Sequence, residues 1–194
     1  MPRHNNYEAW YLDFKDDRII AATPERVWEC LLDPSVLKEC VPGCQSLTGD
    51  VGEGFVATVV QRVGPVKATF KGVVQLSDLI APQSLHISGK GEGGVAGFAR
   101  GGADVTLMAD GSGTKLSYSV KAQIGGKLAQ LGSRIIDSFV SQMADQFFET
   151  FQTQVEGSVP PADEEPMKTI GLWQKFLSVF KNTSITNSAK TLGR

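Results

Sequence analysis

The run Val66-Lys67-Ala68-Thr69-Phe70-Lys71-Gly72-Val73-Val74-Gln75-Leu76 alternates with a period of two, and that period constrains most of what the chain can become. In a β-strand it places Val66, Ala68, Phe70, Gly72, Val74 and Leu76 on one face. A later run repeats the arrangement, with Leu116, Tyr118, Val120 and Ala122 opposite Lys115, Ser117, Ser119 and Lys121. Strands with one dry and one wet side belong to an antiparallel sheet covered on a single face. From Lys127 to Glu156 the cover is legible: Leu128, Leu131, Ile135, Phe139, Met143, Phe147, Phe151 and Val155 recur at spacings of three and four, the stripe of an amphipathic helix. At 1.5 Å per residue such a helix is ~45 Å long, enough to cross a sheet.

Gly, Pro and Asp divide Cys44 to Ile124 into about six strands. Ahead of them, Phe14 to Ala22 reads as an edge-like strand, after which Thr23 can cap a helix that opens on Pro24 and runs to about Leu32. Asp33-Pro34 starts a second helix, which Val41-Pro42-Gly43 must end near Cys40. Strand, two helices, six strands and a long helix contain no βαβ alternation. The expected class is therefore α+β with a helix-grip fold, a curved antiparallel sheet of about seven strands wrapped around a long C-terminal helix. Its expected limits are 13–156, with an N-terminal extension over 1–12, a linker over 157–166 and a basic amphipathic tail over 167–194.

Small residues are frequent on the dry face: Ala57, Ala68, Gly72, Ala99, Gly101, Ala103 and Ala122. Interiors close-pack, so the space above them holds either the phenylalanines of the helix or a ligand. By parity, the wall of such a cavity comprises Phe55, Val59, Phe70, Val74, Val105, Leu107 and Tyr118 from the strands and Ile135, Phe139 and Met143 from the helix. The segment Gly89-Lys90-Gly91-Glu92-Gly93-Gly94 matches GxGxxG by spacing, but a dinucleotide site needs a helix to open there, and Val95 to Met108 resumes strand alternation instead. Gly89 to Gly102 reads better as a hairpin over the mouth of a cavity.

Cut at Pro166, the chain carries 14 basic and 21 acidic residues before the cut and 5 and 0 after it. An acidic body is a poor partner for nucleic acid, whereas a short cationic tail suits an anionic surface. No stretch has the ~18 apolar residues of a membrane span, and MPRHNNYEAW lacks the apolar core of a signal peptide, so a cytoplasmic location is expected. Cys30, Cys40 and Cys44 sit near one another, but an odd count in a cytosolic chain argues against a disulfide framework. A zinc site would need a fourth ligand that is not evident nearby, so free thiols and no metal are expected. His86 sits on the parity opposite Leu85 and Ile87 and reads as an exposed strand residue. With His4 the only other histidine, and with no GxSxG or HExxH, no catalytic residue is assigned.

Beyond the proline-rich, acidic GSVPPADEEP, projection of Lys168 to Asn182 at 100° per residue gathers Ile170, Leu172, Trp173, Phe176, Leu177, Val179 and Phe180 on one half of a helical wheel. Lys168, Lys175 and Lys181 fall on the other half, with Gly171, Gln174, Ser178 and Asn182. A helix of ~21 Å cannot cross a ~30 Å hydrocarbon core but can lie in the interface of an anionic membrane. The same stripe also fits a protein groove.

Four blocks, ATPERVWECLLDPSVLKECVPGC, VGPVKATFKGVVQLSDL, GGVAGFARGGADVTL and GGKLAQLGSRIIDSFVSQMADQFFETF, resemble the family of the G subunit of carbon monoxide dehydrogenase, within the START-type and pollen-allergen-like helix-grip proteins. The likeness spans about Asp17 to Phe151, and its motifs fall on Pro42-Gly43-Cys44, Gly64-Pro65-Val66-Lys67 and Gly125-Gly126-Lys127, which read as turns. The resemblance implies a non-catalytic accessory protein that attaches a molybdenum hydroxylase of the carbon monoxide dehydrogenase type to the inner face of the cytoplasmic membrane. It also implies a bound isoprenoid quinone, such as menaquinone or ubiquinone, or another apolar lipid, with no covalently held cofactor. Two alternatives stay open: a helix-grip enzyme of the aromatic polyketide cyclase or dehydratase type, with Tyr118 as a cavity acid, and a pure protein-protein adaptor with a filled core.

Overall fold

A computed structural model describes residues 9–157. The parts of the expected extension, linker and tail that fall in 1–8 and 158–194 lie outside the described residues. Seven antiparallel strands form one sheet, β1 (Trp10–Ile20), β2 (Cys44–Asp50), β3 (Gly54–Val63), β4 (Val66–Ile80), β5 (Ser84–Glu92), β6 (Phe98–Asp110) and β7 (Gly113–Gly125), in the order β1-β7-β6-β5-β4-β3-β2. Strands β2 to β7 are a meander, and β1 closes it by pairing with β7 from Trp10↔Ile124 to Ile20↔Thr114. Two short helices, α1 (Pro24–Leu32) and α2 (Pro34–Cys40), join β1 to β2, and a long helix, α3 (Ser133–Gly157), follows β7. The helix-grip reading of the sequence is the fold.

The starts of both short helices follow from their residues. Thr23 Oγ1 accepts from the Arg26 amide, Asp33 Oδ1 accepts from the Ser35 amide, and Pro occupies the first position of each helix. In β4 the alternation from Val66 to Leu76 is reproduced residue by residue, the apolar set half-buried and the other set exposed.

Two expectations are corrected. Strand β1 begins at Trp10 rather than Phe14, so Trp10–Leu12 belong to the sheet and not to an extension. Trp10, Leu12 and Phe14 continue the inward face of β1 opposite Ile124, Ala122 and Val120. Nor is the covering helix continuous from Lys127. A 3-10 turn over Ala129–Leu131 ends at Gly132, whose φ of 82° and ψ of 161° no helix contains, and α3 restarts at Ser133. The restart changes which face is inward: Ile136 is buried at 3% exposure and Ile135 lies outside at 38%. At 25 residues, α3 is ~37 Å long.

Between sheet and helices lie two apolar clusters. The larger joins Ile20, Val27, Trp28, Cys30, Cys40, Leu85, Val105, Leu107, Leu116, Phe151 and Val155, drawing on the two short helices, the middle strands and the C-terminal half of α3. A smaller cluster at the other end joins Val63, Ile124, Leu128 and Ile136, with Phe70 and Phe139 packed against it.

Candidate functional site

Against the larger cluster the close packing is interrupted by a cavity of about 320 Å³, within the range of small-molecule sites. Its floor is the dry face of β3 to β7: Phe55, Ala57, Val74, Leu76, Leu85, Ile87, Ala103, Val105, Leu116 and Tyr118. The inserted helices and the segment after them supply one wall, through Leu31, Leu37, Val41 and Leu47, and α3 supplies the roof, through Ala144, Phe147 and Phe148. Small Ala57 and Ala103 leave room where larger residues would meet the roof. Were this volume a closed void in the ligand-free protein, about 24 cal/mol per Å³ would put its cost at ~8 kcal/mol, as large as the net stability of many domains.

A shallower groove of about 290 Å³ shares Val74, Ile87 and Ala103 with the cavity and continues over Gly89, Gly91, Ala99 and Gly101. The glycine-rich run thus belongs to the β5–β6 hairpin, whose inner face extends the cavity outward; its connection holds a 3-10 turn over Gly94–Ala96, so strand alternation resumes at Phe98 and not at Val95. At Gly101 the absence of a side chain is required by the neighbouring strand, since a Cβ would collide with the Lys121 carbonyl and Ala122.

Four of the ten residues assigned to a cavity by parity, Phe55, Val74, Val105 and Tyr118, line it. Leu107 is buried in the core beside it, and Phe70 and Phe139 pack in the smaller cluster. Val59 and Met143 are half-buried away from the wall, and Ile135 is exposed beside the β3–β4 turn, its Cγ2 next to Gly64. Parity gives the face of a strand but not the position along it. Leu31, Leu37, Val41 and Leu47 were missed, although apolar residues on two helices inserted after the first strand must pack on something. The tail residues Lys168, Ile170, Leu172, Trp173, Lys175, Phe176, Leu177, Val179, Phe180 and Lys181 lie outside the described residues.

One edge of the cavity is aromatic and polar. The Tyr118 ring packs at a tilt against Phe148, centroids 5.3 Å apart, and Arg18 covers Phe148 at 5.4 Å. Arg18 bridges Asp16 at 2.6 Å and Asp145 at 2.7 Å, tying β1 to α3. The guanidinium lies close to the Tyr118 hydroxyl without completing a hydrogen bond of good geometry, so that hydroxyl and Arg18 Nε are both buried without a partner. Burial pushes the Tyr118 phenol up, against the opposing pull of Arg18. On the opposite, wet face of the sheet, His86 Nδ1 meets Asp104 Oδ1 at 2.7 Å across β5 and β6, a pairing the sequence spacing did not reveal.

A sequence profile of the CoxG family, named for the G subunit of carbon monoxide dehydrogenase, matches residues 18–156. The chain belongs to the CoxG family. No curated protein matches it significantly. Among solved structures it is similar to a conserved protein from Geobacillus kaustophilus, at 28% identity and a TM-score of 0.71 over 76% of this chain and 97% of that one. A putative uncharacterized protein from Rhizobium leguminosarum (14% identity, TM-score 0.61, 77% and 97% covered) and a protein from Thermus thermophilus (15%, 0.58, 77% and 100%) share the fold. CoxG membership suggests an accessory role alongside carbon monoxide dehydrogenase, consistent with a non-enzyme. Among the described residues of this CoxG chain, no helix is long and apolar enough to cross a membrane.

Proposed function

We propose that this chain is a lipid-holding adaptor: its cavity takes an isoprenoid quinone or another elongated apolar molecule, and the protein brings a molybdenum hydroxylase of the carbon monoxide dehydrogenase type to the inner face of the cytoplasmic membrane. The cavity carries this reading. Its wall is apolar except for Tyr118, and the continuing groove suits a molecule with a compact head and a long tail. The amphipathic stripe from Lys168 to Lys181 supports membrane attachment, because aromatic and aliphatic residues opposite lysines suit an interface better than a core. A cyclase using Tyr118 as an acid is less well supported, since burial makes that phenol a weaker acid than usual.

The test is native mass spectrometry of protein purified without detergent, with organic extraction of the same sample. A co-purifying isoprenoid quinone or lipid at near-equimolar amount is expected. An empty protein that also takes up no quinone from vesicles refutes the reading.

A further inference from the structure

The charges of the domain are segregated along the strands. At the end where the groove opens stand Arg62, Lys67, Lys71, Lys90, Arg100, Lys127 and, in the first turn of α3, Arg134, against two acidic residues, Glu92 and Asp137. The remaining described residues hold six basic and fifteen acidic side chains. This basic end also contains two arrangements that a sheet ordinarily avoids. Arg62 faces Lys67 directly across β3 and β4, and Lys90 faces Arg100 directly across β5 and β6. Like charges in opposed positions destabilise a sheet. Every described salt bridge involves Arg18, Arg26, His86 or Lys115, so neither opposed pair is relieved by an ion pair.

Apolar residues are set among these charges. The cross-strand row Arg100↔Lys90↔Val73↔Val56 runs along the outer face, with Val56 54% exposed. Arg100 lies over Phe98 at 5.8 Å, and at the tip of the β5–β6 connection Val95 is 86% exposed. Lys90 and Arg100 also border the groove that leaves the cavity. A cationic surface with apolar side chains at its tip, beside the open end of an apolar groove, matches an anionic lipid headgroup layer in charge and in composition.

We infer that this basic end of the domain, centred on Lys90, Arg100 and Val95, is a second membrane-docking surface, separate from the tail, that places the groove against an anionic bilayer. The inference rests on the lipid-holding reading for its purpose, but its test does not depend on ligand content. An acidic protein surface is the competing occupant. Nothing in that alternative calls for the bare Val95 or for the open groove beside the charges.

The experiment uses the full chain and flotation with vesicles of phosphatidylcholine containing phosphatidylglycerol, alongside pure phosphatidylcholine. K90E/R100E is compared with K15E/K38E, which changes net charge equally but lies away from the basic end. The first pair is expected to lower the partition coefficient on anionic vesicles about tenfold or more, and the second less than about twofold. V95D should lower it several-fold without altering net charge at the opposed pairs. Circular dichroism and melting of each variant confirm folding. Equal losses from the two double variants, or full binding by K90E/R100E, overturn the inference. A ligand-filled protein with unaltered K90E/R100E flotation defeats the docking surface alone; an empty protein with the expected flotation pattern defeats the ligand reading alone.

Discussion

Filling the cavity at its junction with the groove separates a ligand site from a merely loose core. Ala103 lines both spaces and lies between Ile87 and Val120 on the dry face. In Ala103→Phe the new ring enters existing empty volume, so the cost of overpacking, about 1 to 3 kcal/mol in a filled core, does not arise. Burying a phenyl group is instead worth about 1.5 to 3 kcal/mol, which at about 2 to 4 °C per kcal/mol for a domain of this size raises the Tm of lipid-stripped protein by about 3 to 12 °C. Ligand-dependent stabilisation moves the other way. A ligand at about a hundred times its Kd adds about 2.7 kcal/mol to the parent protein and little to the plugged variant. Scanning calorimetry of stripped protein, with and without a short-chain quinone, reads both effects. If Ala103→Phe lowers the Tm of the stripped protein and keeps the ligand-induced rise, the space is not a functional cavity.

The thiols predict an alkaline weakness. Cys40 is 1% exposed, and burial, with Cys30 and Glu39 nearby, pushes its thiol up to about 11. The folded state therefore holds a proton that the unfolded chain releases near pH 9, so stability falls as pH rises from about 9 to about 11, by at most about 3 kcal/mol. Urea denaturation across that range should show the decline, and Cys40→Ala should flatten it relative to its own value at about pH 7; an unchanged slope rejects the assignment. At Gly132 a Cβ would meet nothing within 4 Å, so Gly132→Ala has only backbone strain to absorb at φ 82°. About 1 to 3 kcal/mol should be lost, read as a lower Tm. A higher Tm would mean that the helix prefers to run unbroken from Lys127.

Strand character, the two capped helices and the covering helix were legible because each depends on local periodicity or on a cap within three residues. The break at Gly132 was hidden because Leu128 and Leu131 happen to continue the spacing of Ile135 and Phe139, although their side chains belong to a different turn. The start of β1 at Trp10 was present as the alternation Trp10, Leu12, Phe14 but was obscured by the polar residues before it. Cavity residues divided along the same line. Phe55, Val74, Val105 and Tyr118 followed from face alone, whereas Phe70 and Val59 share that face at the wrong height. Height is set by the stagger between strands, and α1 and α2 reach the cavity only through tertiary packing. The opposed Lys90 and Arg100 could not be seen before the register was known, since nine residues separate them in the chain.

The pairing of β1 with β7 has a consequence for how the protein is made. Trp10 cannot meet Ile124 until the whole meander exists, and closing contacts separated by roughly a hundred residues is slow. On the ribosome the first strand emerges early and waits, and the dry face of β2 to β7 is synthesised before α3 arrives to cover it. The growing chain therefore passes through a stage with an exposed apolar sheet and an unpaired edge, the kind of intermediate that chaperones bind. Yield at high expression rate should be limited by that interval rather than by the stability of the finished domain.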